Sequence, residues 1–218
     1  MANNELKNLI FNRLIHLYIK KAVPLGSKFL KKKYFRNLAD STIRLYLKKL
    51  VEEKYLITVK KSVGRVPTDK GWKHYLEINK NKIDLSKFEK CIKFNNKQEL
   101  IDYIASKFNL YYIWQFKNEI LEGSLEYTLK NIEFADKDTI LKFLRLMRII
   151  KKEFLNKLML QDEEIKILIG QEMKLENAND FSFIGLRRGE NKLICLNVKR
   201  MDYPVIYGIF NKIIKEML

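Results

Sequence analysis

The spacing of apolar residues in the first third of the chain predicts two helices before residue 35. Over residues 5–20 the apolar positions recur every three or four residues, which is the period of a helix with one buried face. This helix is expected to end before Pro24. Gly26 and Ser27 can begin a second, short helix that continues through Tyr34.

A third helix is predicted to begin after Asp40 or Ser41. Its core face is expected to consist of Ile43, Leu47, Leu50 and Val51. This stripe leaves four side chains toward solvent or a groove: Thr42, Arg44, Tyr46 and Lys48.

The pattern changes to that of a hairpin after Lys54, with the strand-like stretch YLITVKK, a turn at residues 62–64 and a return through residues 65–67. Three helices followed by a basic hairpin are the element order of a winged helix-turn-helix. In that fold the third helix enters the major groove of DNA, and its first residues reach base edges. The same unit can instead bind protein. The net charge of the unit distinguishes a DNA-binding domain from a protein-binding one.

The remaining two thirds of the chain predict an α+β domain with a small sheet. A linker rich in Lys and Asn at residues 79–82 precedes it. Helices are expected over residues 98–108, 119–130, 138–160 and 203–218. Strands are expected at residues 110–116 and in the stretches IKILIG, FSFIGL and KLICLNV. The aromatic run at residues 111–116 is more typical of a core or an interface than of a ligand pocket.

Charge is distributed very unevenly between the two parts. Residues 1–82 hold 20 Lys and Arg against 6 Asp and Glu, a net charge of +14, whereas residues 83–218 hold 23 against 20, a net charge of +3. A positive field this concentrated indicates a polyanionic partner. The N-terminal part is therefore predicted to bind double-stranded DNA.

Other classes of function find little support in the sequence. Cys91 and Cys195 form no CxxC motif, and His16 and His74 are the only histidines, so no metal site and no cofactor are expected. No catalytic motif or phosphate-binding loop is recognisable, which argues against an enzyme. No export signal or membrane span is predicted, and a cytoplasmic protein without a membrane partner is expected. A lysine-rich amphipathic helix lying on anionic lipid remains a minor alternative.

The expected DNA contacts fall into three groups. Base edges are assigned to the start of the third helix, at Ser41, Thr42 and Arg44, with Lys48 beside them. Phosphates are assigned to the second helix, at Ser27, Lys28, Lys31, Lys32 and Lys33. The hairpin and the residues after it are expected to add Lys60, Lys61, Arg65 and Lys70, with Gly64 permitting the turn.

Several motifs resemble one known family. The N-terminal ones are VPLGSKFL at 23–30, DSTIRLYLKKLVEEKYL at 40–56 and GRVPTDKGWKHYL at 64–76. Together they resemble the winged-helix domain of the HrcA family of heat-inducible transcription repressors. The C-terminal ones are EGSLEYTLKNIEFAD at 122–136, IKILIGQEM at 165–173 and VKRMDYPVIYGIFNKII at 198–214, and they resemble the GAF-like domain of the same family.

The resemblance implies a winged-helix DNA-binding domain at residues 1–80 and a reduced GAF-like dimerisation and regulatory domain at residues 83–218. It implies a repressor of chaperone genes that binds an inverted-repeat operator as a homodimer, with a chaperonin as a further partner. Only about 80 residues separate Lys82 from Ile165, so much of the sheet and the family's dimerisation insert are expected to be missing. Leu45 and Tyr46 stand where the family usually has Asn and Glu, which implies different operator bases.

Two alternatives to this repressor follow from the same observations. One is a winged-helix regulator controlled by a small ligand in its C-terminal domain. The other is a sequence-neutral, nucleoid-associated protein, because the total charge of +17 would serve either role. Competition between a preferred duplex and bulk DNA separates a regulator from a packaging protein.

Overall fold

The computed structural model describes residues 2–60, 64–82, 96–116, 119–155 and 160–216. Contacts between residues divide the chain into two compact units, Met1–Asn79 and Lys80–Leu218. The two units differ in architecture. The first is mostly helical with one small hairpin, and the second is built around a larger sheet.

The first unit contains three helices, an antiparallel hairpin and a fourth helix. The helices before the hairpin are α1 (Ala2–Lys21), α2 (Ser27–Tyr34) and α3 (Asp40–Glu52). The hairpin strands are β1 (Leu56–Lys60) and β2 (Gly64–Pro67), and they are followed by α4 (Asp69–Asn79). The three predicted helices and the two predicted strands are therefore all present.

The core of the first unit takes apolar side chains from every element, because each helix has one apolar face to cover. The buried face of α1 includes Phe11 and Ile15, whereas Leu9, one of the apolar positions from which the buried face over residues 5–20 was predicted, is exposed. Phe11 is buried because α4 and the residue before β1 cover this side of α1: its ring contacts those of His74 and Tyr55. The Tyr55 and His74 rings stack with their centroids 4.1 Å apart.

The second unit is a five-stranded antiparallel sheet with helices on both faces. Its helices are α5 (Lys97–Phe108), α6 (Leu125–Thr128), α7 (Lys137–Leu155) and α8 (Tyr203–Glu216). Its strands are β3 (Tyr111–Phe116), β4 (Glu119–Gly123), β5 (Ile165–Ile169), β6 (Phe181–Arg188) and β7 (Asn191–Val198). The strand order is β4-β3-β7-β6-β5.

Alternation along the strands sends successive side chains to opposite faces of this sheet. Tyr111 and Phe181 lie on one face, where they pack against Phe143 of α7. On the other face, Tyr112 donates a hydrogen bond to Asp102 of α5 at 2.7 Å. Ser182 and Tyr203 form a buried hydrogen bond between the same face and α8 at 2.5 Å. Both faces of the sheet are thus covered.

The helix predicted over residues 119–130 is wrong. Residues 119–123 form strand β4, and only Leu125–Thr128 are helical. Glu and Leu favour a helix locally, but antiparallel pairing with β3 supplies hydrogen bonds along the whole segment. The sheet is consequently larger than predicted. The long helix predicted over residues 138–160 is described as helical to Leu155, residues 156–159 lie outside the described residues, and Leu160 is not helical. Cys91 and Lys61 also lie outside the described residues.

The aromatic run of β3 belongs to the core rather than to a pocket. Tyr111, Tyr112 and Trp114 are almost fully buried between the sheet and its covering helices. The Tyr111 hydroxyl donates to Glu122 of the neighbouring strand, and burial raises its pKa. Cys195 is also buried in this sheet, where burial raises the pKa of its thiol.

Candidate nucleic-acid interface

The first turn of α3 presents polar side chains on its outer face. Ser41 and Arg44 are exposed, and Thr42 is half-buried. The Arg44 side chain is 62% exposed, and its Nη2 atom lies 2.5 Å from Oδ2 of Asp40, one helical turn earlier. Leu45 is also exposed. The predicted orientation of this turn is therefore what the structure shows.

Tyr46 does not face a groove, contrary to the sequence-based expectation. It is only 7% exposed, and its hydroxyl donates a hydrogen bond to the side chain of Asn3 in α1. The helical period places residue 46 close to the Ile43 and Leu47 stripe, and α1 covers that side of α3. A hydroxyl buried in this way requires a partner, which Asn3 provides.

A group of cations on α2 lies next to the start of α3. They line a shallow depression of about 400 Å³, whose walls are Lys28, Lys31, Lys32, Arg36 and Asp40. Lys33 lies in a different environment, with its Nζ atom 5.6 Å from the centre of the Tyr34 ring. Ser27 is buried beside Asp40, so it lies beneath this surface rather than facing solvent.

The hairpin is fastened to the turn before α2 by backbone hydrogen bonds. The amide of Arg65 donates to the carbonyl of Leu25 at 2.9 Å, and the amide of Leu25 donates back to the carbonyl of Arg65 at 3.1 Å. Gly64 has φ +131, and a Cβ atom there would lie 2.6 Å from the Leu25 nitrogen. Gly64 is thus required for the close approach of two backbones and for its own positive φ.

Arg65 occupies an unusual electrostatic position on β2. Its Nε atom is buried and has no hydrogen-bond partner among the described residues. Burial, followed by the nearby positive charge of Arg44, lowers the pKa of the Arg65 guanidinium. The positive charge of Arg44 on α3 therefore acts on Arg65 of β2, and an anion between them would relieve both the repulsion and the unsatisfied donor.

Two predicted contact residues lie at the other end of α3. Lys70 donates a hydrogen bond from its Nζ atom to the carbonyl of Glu53 at 2.9 Å and lies over the Tyr55 ring. Lys48 pairs with Glu52 at 3.5 Å. A third predicted contact residue, Lys60, does not belong to α3 and is exposed at the end of β1. The structure thus places Arg44 beside Asp40 of the depression lined by the α2 cations, and it places Lys70 elsewhere.

Two members of this surface were not among the predicted contacts. Arg36 lines the depression from the residues after α2, and Asp40 contributes a carboxylate to it. The spacing of four between Asp40 and Arg44 is the sequence signal that identifies their ion pair.

Neither a metal site nor a membrane span is found where the structure describes the chain. No cluster of three or more His, Cys, Asp or Glu side chains there could hold a metal ion. None of the helices there is long and apolar enough to cross a bilayer.

The chain resembles known proteins over most of its length. Residues 74–206 match the family model described as the HrcA protein C terminal domain. The heat-inducible transcription repressor HrcA of Alkaliphilus metalliredigens (strain QYMF) is 31% identical over 147 residues, which cover 67% of this chain and 41% of the relative. HrcA of Thermoanaerobacter sp. (strain X514) is 36% identical over 112 residues, which cover 50% of this chain and 32% of the relative.

The region similar to Mycoplasma pneumoniae HrcA is shorter, with 41% identity over 69 residues, covering 32% of this chain and 20% of the relative. Each of these alignments spans less than half of the relative's own length. Among solved structures, one described as a hypothetical protein superposes with a TM-score of 0.75 at 15% identity, covering 96% of this chain and 95% of that one. This likeness concerns the fold alone. The HrcA family model matches more than half of the residues of this chain, and the chain therefore belongs to the HrcA family.

Proposed function

We propose that this chain is a DNA-binding transcriptional repressor acting in the cytoplasm. Residues 1–80 would form a winged-helix DNA-binding domain, and residues 83–218 a GAF-like dimerisation and regulatory domain. The order of three helices, a hairpin and a further helix in the first unit supports the winged helix. The names of the relatives, heat-inducible transcription repressors, support the regulatory role.

The observation that carries the proposal is the meeting of positive side chains from three elements. Arg44 of α3 hydrogen-bonds Asp40 at 2.5 Å, and Asp40 lines the depression together with Lys28 of α2. The positive charge of Arg44 also repels that of Arg65 on β2 and lowers its pKa. Burying or gathering like charges is unfavourable unless an anion compensates for them. A DNA backbone, with a phosphate on each strand about every 3.4 Å, supplies such anions.

The structure supports a division of labour among the predicted contact residues. Base edges are assigned to Ser41, Thr42 and Arg44 at the exposed start of α3. Phosphates are assigned to Lys28, Lys31, Lys32, Lys60 and Arg65, with Lys33 and Lys48 as outer contacts. Lys61, which lies outside the described residues, keeps the phosphate contact predicted from the sequence. Ser27, Gly64 and Lys70 organise the protein surface through the contacts described above.

The operator and the assembly are further parts of the proposal. An inverted-repeat operator upstream of chaperone genes requires two recognition helices about one duplex turn apart, which a two-fold homodimer supplies by symmetry. A chaperonin would act as the partner that keeps the repressor active. The inverted-repeat operator, the homodimer and the chaperonin all come from the family resemblance.

A duplex selected from a random pool tests the DNA-binding function. In a competition assay followed by fluorescence anisotropy, the selected duplex should bind roughly 10³-fold or more tightly than random DNA. Equal binding to both duplexes would favour the sequence-neutral, nucleoid-associated alternative and refute the repressor.

Arg44→Ala tests base readout within the same assay. If Arg44 reads a guanine edge, the selected duplex should lose about 1–3 kcal/mol while random DNA changes little. Arg145→Ala is a matched control, because Arg145 is an exposed arginine of the second unit. Equal losses on the two duplexes would show that Arg44 is only a phosphate contact. Lys31→Gln and Lys32→Gln should each reduce the slope of log K against log salt by about 0.9.

A further inference from the structure

One acidic side chain lies within the basic surface at the start of α3. Among the residues that line the depression there, Asp40 is the only acid beside four cations. Its Oδ2 atom lies 2.5 Å from Nη2 of Arg44, the residue assigned to base readout. Its side chain is 24% exposed, so solvent and a DNA phosphate can both approach it.

The surroundings of Asp40 keep it ionised. The neighbouring Ser27 hydroxyl, followed by the Arg44 hydrogen bond and the Arg44 and Lys28 charges, holds the pKa of this carboxyl below its usual value against the opposing effect of burial. Its place in the first turn of α3 also favours a negative charge, because the helix dipole is positive there. Asp40 thus brings a full negative charge to the surface that DNA would approach.

This charge affects random and preferred DNA differently. On random DNA, binding relies on phosphates, and Asp40 both repels them and holds Arg44 away from them. On a preferred duplex, a guanine edge offers Arg44 two acceptors, and the amino group of a cytosine is a donor that a carboxylate can accept. The unfavourable effect of Asp40 is therefore offset only where the bases match.

We propose that Asp40 is a specificity-determining residue that weakens binding to DNA in general more than binding to the operator. It does so as an internal anion that occupies Arg44 and excludes one phosphate contact. This inference rests on the proposed DNA-binding function. A repulsive element of this kind is a common means by which specific interfaces reject the wrong partner.

Removing the charge provides the test. In Asp40→Asn, one more phosphate contact should become available on random DNA, which steepens the slope of log K against log salt by about 0.9 and corresponds to roughly eightfold tighter binding at 0.1 M salt. The selected duplex should gain less than about twofold, because Arg44 already contacts bases there. The ratio of the two affinities should therefore fall about fourfold or more.

Two further variants complete the design. Asp40→Ser removes the same charge with a side chain that also suits a helix start, and it lacks the amide by which Asn can bind adenine. Glu52→Gln is the matched control, because Glu52 also forms an i,i+4 ion pair on α3, at 3.5 Å from Lys48, but lies in the last turn. It should change both duplexes by the same small factor.

The outcomes separate the inference from the function on which it rests. A wild-type chain that does not distinguish the selected from the random duplex would refute the proposed function and the role of Asp40 with it. A wild-type chain that discriminates, with Asp40 variants that gain equally on both duplexes or match Glu52→Gln, would overturn the role of Asp40 alone. Variants that lose affinity for the selected duplex without gaining on random DNA would also overturn it, by making Asp40 a positioning residue for Arg44.

Discussion

Replacing Gly71 by Ala should destabilise the first unit, because α4 begins in contact with the backbone before β1. A Cβ atom on Gly71 would lie 2.0 Å from the carbonyl oxygen of Tyr55, whereas ordinary contacts begin at 3.4 Å. The same carbonyl accepts a hydrogen bond from the amide of Thr68 at 3.1 Å. The Thr68 hydroxyl in turn accepts one from the Gly71 amide at 3.0 Å. The added methyl group therefore has to displace backbone that is already hydrogen-bonded.

The expected loss follows from three contributions. Forcing an extra methyl group into packed structure costs about 1–3 kcal/mol. Weakening the hydrogen bond between Thr68 and Tyr55 adds about 1 kcal/mol, and the better helix propensity of Ala returns up to about 1 kcal/mol. The free energy of unfolding should therefore fall by about 2 kcal/mol. For a unit of this size that lowers Tm by about 10 °C.

The two tryptophans make the measurement specific, because Trp72 lies in the first unit and Trp114 in the second. In a Trp114→Phe background, the fluorescence of the buried Trp72 during urea unfolding reports on the first unit alone. Gly26→Ala is the matched control. A Cβ atom there meets nothing within 4 Å, and φ is −108, which Ala adopts readily. The control should shift stability by less than about 1 kcal/mol.

Equal unfolding midpoints for Gly71→Ala and Gly26→Ala would refute the reasoning. That result would mean that α4 can move away from Tyr55 at no measurable cost. The contact between Gly71 and the Tyr55 carbonyl would then not hold α4 against the backbone before β1.

Two other predictions concern pH and assembly. Burial, followed by the charges of Lys7 and Lys70, lowers the pKa of His74 in the folded chain below its usual 6.5. As pH falls below about 6.5, the unfolded chain therefore binds more protons than the folded chain does. The stability of the first unit should be fully present above that pH and decline below it. His74→Phe, which keeps a ring beside Tyr55, should lose this decline in urea titrations at pH 5 and 7.5, and an unchanged decline would exclude His74 as its source. Light scattering at micromolar concentration should detect a dimer, and the inverted-repeat duplex should strengthen it. A monomer that binds a half-site as tightly as a full palindrome would contradict the symmetric repressor.

Local patterns in the sequence were sufficient for most of the elements. The 3.6-residue period predicted α3 and α7, and runs of apolar residues bounded by turns predicted β5, β6 and β7. These signals arise within one element, because burial of a single face imposes its own spacing on the residues. The concentration of charge in residues 1–82 is likewise a property of the sequence alone.

Other features depend on partners that are distant along the chain. Residues 119–123 have a helix-favouring composition and become a strand because β3 pairs with them. Tyr46 lies at the edge of the α3 stripe, and its burial depends on Asn3, 43 residues earlier. No local pattern predicts either feature. The free energy of strand pairing depends on β3, and that of burying the Tyr46 hydroxyl depends on Asn3.

The candidate interface shows the same division. The sequence by itself determined that the N-terminal unit is basic and that Arg44 lies on the outer face of α3. The structure added Asp40 to this surface as the ion-pair partner of Arg44. Only the tertiary structure decided that Arg65 would lie near Arg44 and that Lys70 would lie at the opposite end of α3. Charges on separate elements are brought together by backbone contacts such as the one between Gly64 and Leu25, in which no charge takes part. Composition therefore indicates the kind of partner, and packing determines which side chains meet it.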